Sequence, residues 1–243
     1  MQEVDHFKFF QRILSTLNYD GVFFPKPDSP CLYINNNNGP DGCAIFYKTD
    51  KFHLINCKTK ILDVWRVQSN QVAILMMLAV RETGKEFCVT TTHLKARRST
   101  ILSKIRNEQG KDLLRFVNAN TRNCPIILCG DFNAEPIEPI YKTILNSMFN
   151  LSSAYSDLLK EYNFKNNSNN NKTICHDNNH INLDNNENNI DNEIDIRIME
   201  SIESEPEYTT WKIREDGEEC HTIDYMFYTK DKLKVFIILF LNI

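Results

Sequence analysis

The sequence predicts an α/β domain built on a mixed β-sheet, and three observations point there. Compact apolar runs of strand length occupy residues 44–47, 71–80, 86–92 and 125–129. Apolar residues also recur at helical spacing in three places. Residues 82–85, with Thr83-Gly84 inside, link two of the strands as a hairpin-like turn. Strands paired by turns and interspersed with helices read as a mixed-sheet domain.

The helical stretches follow in order. Phe7, Phe10, Ile13, Leu14 and Leu17 predict an amphipathic helix over residues 5–18, closed by Gly21. Leu102, Ile105, Leu113, Phe116 and Val117 line one side of a second helix over 101–118. Ile137, Ile140, Tyr141, Ile144 and Leu145 mark a third. One stretch breaks the pattern: between residues 163 and 192, 14 of 30 residues are Asn. Such a tract buries too little apolar surface to offset its ordering entropy, so a disordered insertion is expected over about 163–204. Cys175, His176 and His180 within it make half of a zinc site, and no second ligand pair stands at zinc-finger spacing. The expectation is one domain over residues 1–243, interrupted by that loop.

Composition narrows the function classes. The 243 residues carry a formal charge of −4, so the chain as a whole is no electrostatic glove for nucleic acid. Any bound anion must be held by a local cluster of Lys and Arg. Seven Gly and eight Pro are few for this length and argue against a turn-rich all-β sandwich. The eight Cys are scattered without framework spacing, which reads as a reducing compartment. The apolar run 235–241 is far shorter than the roughly 20 residues of a membrane span, so no membrane partner is expected. The expected location is the cytoplasm, or the mitochondrion if an N-terminal segment is missing.

The strongest chemical signal is Gly130-Asp131-Phe132-Asn133-Ala134-Glu135-Pro136, directly after the apolar run Ile126-Ile127-Leu128. Asp and Asn two apart on extended backbone point into one cleft. The Asp can align or deprotonate a water, and the Asn can donate to a phosphoryl oxygen without adding negative charge. The plainer reading is a turn capping the next helix, where Asp and Asn are common. Three further stretches weigh against it. Thr92-His93-Leu94-Lys95-Ala96-Arg97 puts cationic groups at another strand's end. His221-Thr222-Ile223-Asp224-Tyr225 leads into a third apolar stretch, and Gln2-Glu3-Val4-Asp5 places carboxylates before a helix. Hard carboxylate oxygens at strand ends suit Mg²⁺.

These segments, with Phe23-Phe24-Pro25-Lys26-Pro27, Asn37-Asn38-Gly39-Pro40-Asp41-Gly42-Cys43-Ala44 and Tyr208-Thr209-Thr210-Trp211-Lys212-Ile213-Arg214, occur in an order that resembles the endonuclease/exonuclease/phosphatase family. The likeness is to the branch that holds the CCR4-type deadenylases. It covers nearly the whole chain apart from the Asn-rich tract and the last few residues. It implies a sandwich of two mixed β-sheets flanked by helices and a Mg²⁺-dependent phosphoester hydrolase acting as a monomer. By this resemblance Glu3 is the metal ligand, and Lys26, Lys95 and Arg97 clamp substrate phosphates. Asp131 positions the attacking water and Asn133 the scissile phosphate, with His93 beside them. Asp224 orients a catalytic His, His221 serves structure, and residues 37–44 form a substrate-facing loop. Two substrates follow from the branch: the 2′-phosphate of NADP(H), and poly(A) RNA degraded from its 3′ end.

The sequence departs from the pattern twice. The family's catalytic His lies in a Ser-Asp-His triplet near the C-terminus, and no Ser-Asp-His occurs here. The family's strand preceding the metal-binding Glu has no counterpart before Met1. A chain cut at both ends is therefore expected, and a binding protein that keeps the phosphate cradle without chemistry stands as the reading from another class.

Overall fold

A computed structural model describes residues 1–158, 188–215 and 217–236. Its centre is β4 (Val67–Val80), whose residues 72–78 are all buried. Alternate side chains leave a strand on opposite faces, and here both faces are covered. Ala73, Leu75 and Met77 join one apolar cluster, while Val72, Ile74, Met76 and Leu78 join another. The continuous run Val-Ala-Ile-Leu-Met-Met-Leu-Ala-Val is thus the middle of a layered structure rather than a one-sided sheet.

The main sheet has six strands in the order β3-β4-β5-β6-β10-β7. β3 (Phe52–Val64) and β5 (Glu86–His93) flank β4, and both pair with it antiparallel. The expected turn joins β4 to β5, with Gly84 at φ +68° and its N–H donating to Val80 O. β6 (Ile126–Asp131) lies parallel to β5, which makes the sheet mixed as predicted. Parallel neighbours need a crossover, supplied by α2 (Thr100–Asn120). The Ser99 hydroxyl caps α2 by accepting the Leu102 N–H at 3.2 Å. β10 (Asp224–Thr229) and β7 (Leu151–Ser153) complete the sheet, both in antiparallel pairs.

One face is covered by α2 and α3 (Pro139–Leu145), whose Leu113, Phe116, Val117, Ile140 and Ile144 enter the larger cluster. Over the other face lies the second sheet, β1 (Tyr19–Pro25) paired antiparallel with β2 (Gly42–Lys48). Cys43 and Ile45 of β2 pack against β4 there. A hairpin of β8 (Thr210–Arg214) and β9 (Gly217–His221) stands apart.

Two expectations need correction, and one strand was not anticipated. Helix α1 spans Phe7–Ser15, and Gly21 does not close it. The hydroxyls of Ser15 and Thr16 bond back to Arg12 O and Ile13 O, and the left-handed residue is Asn18 at φ +61°. Gly21 lies in β1, where a Cβ would come within 2.4 Å of the Phe46 ring. Strand β3 had no sequence signal, because Asn56, Lys58 and Lys60 interrupt its apolar residues. The insertion expected over 163–204, with Cys175, His176 and His180, lies mostly outside the described residues. Its last part is helix α4 (Asn188–Glu203), which buries Ile198 and Ser201. The Ser201 hydroxyl meets Tyr141 Oη of α3 at 2.8 Å, so α4 is docked.

Candidate active site

The strand ladder assembles the site. β5 and β6 run parallel with His93 opposite Asp131, and β10 runs antiparallel with Asp224 opposite the same Asp131. Laterally paired residues share a face of the sheet. His93, Asp131 and Asp224 therefore form one row across three neighbouring strands. A distance of 3.7 Å separates His93 Nε2 from Asp131 Oδ2, too long for a hydrogen bond. Gly130 makes the row possible. Its φ is +155°, and a Cβ there would stand 2.1 Å from Thr92 O, so any side chain would push β6 off β5.

Past the strand, the chain turns through Asn133 at φ +50°. Strand alternation does not place Asn133 beside Asp131, because β6 ends at Asp131. An Asx turn does it instead: the Asn133 N–H donates to Asp131 Oδ1 at 2.8 Å. Asn133 Nδ2 donates to Leu94 O at 3.1 Å, and the Leu94 N–H to Asp131 O at 2.9 Å. Tyr225 Oη lies 2.8 Å from both Ala134 O and Thr222 O, which share its one proton. Phe132 points inward and is buried against Tyr225 and Phe227. The motif is stapled from both neighbouring segments.

Burial dominates the electrostatics of the row. It pushes the Asp131 carboxyl up to about 6, with the charges of Asp224 and Glu3 acting the same way against the Asn133 N–H and Lys212. Asp224 is also raised by burial, opposed by its hydrogen bond from Thr209 and by Lys212. His93 is lowered to about 4 by burial and then by the Lys26 charge, opposed by Glu3 and Asp41. It is neutral at physiological pH, and its buried Nδ1 has no hydrogen-bond partner among the described residues.

The remaining expected residues surround this row. Glu3 is exposed in a left-handed turn at φ +52°. Its neighbours fix it: Gln2 Nε2 donates to Thr91 Oγ1 at 2.8 Å, and Val4 bridges to Gly42. Lys26 Nζ lies 2.6 Å from Asp41 Oδ2 in a largely buried pair, and the Ser29 hydroxyl also donates to Asp41. Lys95 and Arg97 are exposed on the loop after β5, Arg97 at φ +75°. Glu3, Arg97 and Asn133 thus all hold a backbone conformation that is costly for a side chain, which is common at functional sites.

Asp224 is met by Thr209, whose Oγ1 donates to Oδ2 at 3.3 Å and accepts the Asp224 N–H at 3.0 Å. No His partner stands at Asp224 among the described residues. His221 lies in a surface network, its Nδ1 3.2 Å from Glu135 Oε1, which Arg98 also engages at 2.6 Å. Lys212, unassigned from sequence, emerges as a cation acting on all three members of the row. Its position becomes meaningful only through the β8–β9 hairpin. Arg106, only nine residues after Arg97, is 1% exposed and bound to Glu138, so it offers no charge to a substrate.

Among the described residues no group of three or more His, Cys, Asp or Glu is arranged to hold a metal ion. The donor chemistry nonetheless fits a hard divalent cation. Such an ion usually takes one or two carboxylates and completes its shell with water and phosphate. Asp131 already feels the repulsion of Asp224 and Glu3, which a nearby cation relieves.

A model of the endonuclease/exonuclease/phosphatase family matches residues 1–240. The chain belongs to that family. Within the family, it is 56% identical to nocturnin of Drosophila melanogaster over 97% of its length, covering 33% of that protein. It is 42% identical to human nocturnin over 97% of its length, covering 46% of that protein. The chain therefore spans a third to a half of these curated relatives. The human nocturnin catalytic domain, solved with a bound sulfate anion, superposes with a TM-score of 0.70 at 39% identity. That match covers 94% of this chain and 67% of the solved one. Membership in the family makes the strand-end row and its flanking cations the place to look for phosphoester chemistry.

Proposed function

We propose that this chain is a Mg²⁺-dependent phosphoester hydrolase that removes the 2′-phosphate of NADP(H), giving NAD(H) and inorganic phosphate. The observation that carries the reading is the row His93, Asp131 and Asp224, set side by side by strand register with Lys95 and Arg97 at its rim. The match to nocturnin supports the choice of substrate.

Glu3, with Asp131 close by, would hold Mg²⁺, which when bound supplies charge neutralisation at the phosphoryl oxygens. Asp131 aligns a water and takes its proton as the oxygen attacks phosphorus. Its setting raises the carboxyl above the usual carboxylate range, and a cation beside it would bring it back down and leave it ionised to accept the proton. The P–O bond to the ribose breaks, and the 2′ oxygen leaves with the bonding electron pair and takes a proton from solvent water to become the hydroxyl. Asn133 fixes the scissile phosphate, and neutral His93 supports Asp131 without adding charge. Arg97 offers a planar fork to phosphate oxygens, and Lys95 a mobile point charge. Lys26, held by Asp41, adds a fixed positive charge behind them.

A second reading, 3′ degradation of poly(A), is favoured by the exposure of Lys95, Arg97 and Arg98 along one loop. The net charge of −4 favours the smaller substrate, because tight polynucleotide binding needs several phosphate contacts.

The deciding experiment is phosphate release from NADPH with and without Mg²⁺, beside a poly(A) oligonucleotide and an Asp131→Ala control. Mg²⁺-dependent release lost in the control is the expected result. Shortening of the oligonucleotide with no release from NADPH replaces the first reading by the second. A folded chain inactive on both leaves a phosphate-binding protein.

A further inference from the structure

The two cations at the rim of the row stand on an exposed loop, yet that loop is gripped from beneath. Arg106 of α2 is the largest fully buried side chain among the described residues, at 1% exposure. Its guanidinium donates to two backbone carbonyls of the loop: Nη1 reaches Lys95 O at 3.0 Å and Arg97 O at 2.8 Å. Its other donors go to Glu138, with Nη2 at 2.9 and 2.7 Å from the two carboxylate oxygens and Nε at 3.2 Å. All three nitrogens of the guanidinium are thereby engaged. One helical turn later, Gln109, also buried, accepts the Lys95 N–H on Oε1 at 3.1 Å. Gln109 Nε2 donates in turn to Ser69 Oγ at 3.2 Å, which ties it to β4.

Lys95 is thus held at both its N–H and its C=O by two side chains on one face of α2. Arg97, whose left-handed backbone is costly, is held at its carbonyl. Glu138, in the segment after the Asp131–Asn133 turn, fixes the far side of the guanidinium. One buried planar cation therefore links the segment that follows Asp131 to the loop that carries the rim cations.

We infer that Arg106 and Gln109 are positioning residues for phosphate binding: they set where Lys95 and Arg97 stand relative to Asp131, acting through the loop backbone. The inference rests on the phosphoester reading for its purpose and on the buried hydrogen bonds for its geometry. Lysine at 106 keeps the charge but cannot span two carbonyls and a carboxylate at once. A misplacement of about 1 Å in a substrate-positioning group is enough to cost up to about 10²-fold.

The test is a mutant cycle on the full chain, with thermal unfolding to confirm that each variant is folded. Arg106→Lys is expected to lower kcat/KM for NADPH about tenfold, mainly by raising KM. In a background already carrying Lys95→Ala and Arg97→Ala, the same substitution is expected to cost less than about twofold, because the groups it positions are gone. An equal loss in both backgrounds overturns the inference and leaves Arg106 a purely structural link. Gln109→Met is the second variant should Arg106→Lys not fold, with the same expectation, while Gln109→Glu keeps the acceptor and restores the wild-type KM. Amide exchange is read in parallel. The Lys95 amide is expected to exchange at least about tenfold faster in Arg106→Lys and Gln109→Met, with β5 and β6 unchanged. Unchanged exchange at Lys95 overturns the inference. A wild-type chain inactive on both NADPH and poly(A) counts against the phosphoester reading alone, and exchange at Lys95 then decides whether the loop is held as inferred.

Discussion

The acidic and basic halves of the site are built by different means. Asp131 and Asp224 sit on adjacent strands, and their separation is set by the backbone ladder of β6 and β10. Lys95 and Arg97 sit on a loop that belongs to no ladder, and side chains of α2 hold it. A ladder fixes position to within a residue spacing and tolerates no slip, since a shift of one residue turns every side chain to the other face. A side-chain grip allows small adjustments, which suits groups that must follow a substrate. The carboxylates are half-buried and raised in pKa, whereas the rim cations are open to solvent.

The comparison is tested most severely at Asp131. Asp131→Ala should reduce turnover about 10³-fold while leaving the unfolding midpoint near wild type. A drop below tenfold would remove Asp131 from the chemistry. Gly130→Ala attacks the ladder itself. With Thr92 O in the way of a Cβ, the variant should lose about 3 kcal/mol of stability in denaturant titrations. A variant as stable as wild type would show that β5 and β6 separate easily, contrary to the register described.

Titration probes the row more gently. Below pH 6.5 the unfolded chain protonates His93 while the folded chain resists down to about 4, so this contribution to stability grows as pH rises through that window. Asp131 behaves oppositely. The folded carboxyl keeps its proton up to about 6, the unfolded one only to 3.8, so its contribution is full below 3.8 and fades by about 6. The two nearly cancel in the wild type. Asp131→Asn should therefore gain, from pH 4 to 6.5, on the order of 2 kcal/mol more stability than wild type gains. Parallel stability profiles for the two proteins would contradict the assigned shifts. The smallest effect belongs to the rim: Arg97→Ala should raise KM for NADPH about tenfold with kcat changed less, and unfolding should be unaffected.

Much of this was legible in the sequence. β4 showed itself through an unbroken apolar run, and the turn at 82–85 through Thr83-Gly84. The Gly130–Pro136 motif stood at the end of β6, where Asp131 pairs with His93 and Asp224. The reasons were less accessible. Asn133 faces the site through a left-handed turn rather than strand alternation, and a dipeptide spacing cannot tell the two apart. The lateral alignment of His93, Asp131 and Asp224 is a product of pairing between segments up to 131 residues apart, which local pattern does not encode. Nothing local sets Lys212 and Arg106 apart from other cations, because only tertiary contacts send one toward the carboxylates and bury the other. Helix α4 was hidden by an Asn-rich composition, although Ile198 and Ile202 have the four-residue spacing of one helix face.

The parallel pairing of β5 with β6 carries a consequence for how the row of His93, Asp131 and Asp224 forms. Antiparallel neighbours such as β3, β4 and β5 close through short local turns and can zip together early. His93 and Asp131 meet only after the whole intervening chain, including the 21 residues of α2, has looped over the sheet. The entropy of closing that loop is spent before any of the pairing that rewards it. The row should therefore be among the last features to assemble during refolding, after most of the strand signal has returned. Until it does, the facing edges of β5 and β6 stay unpaired and open to every other chain in the solution.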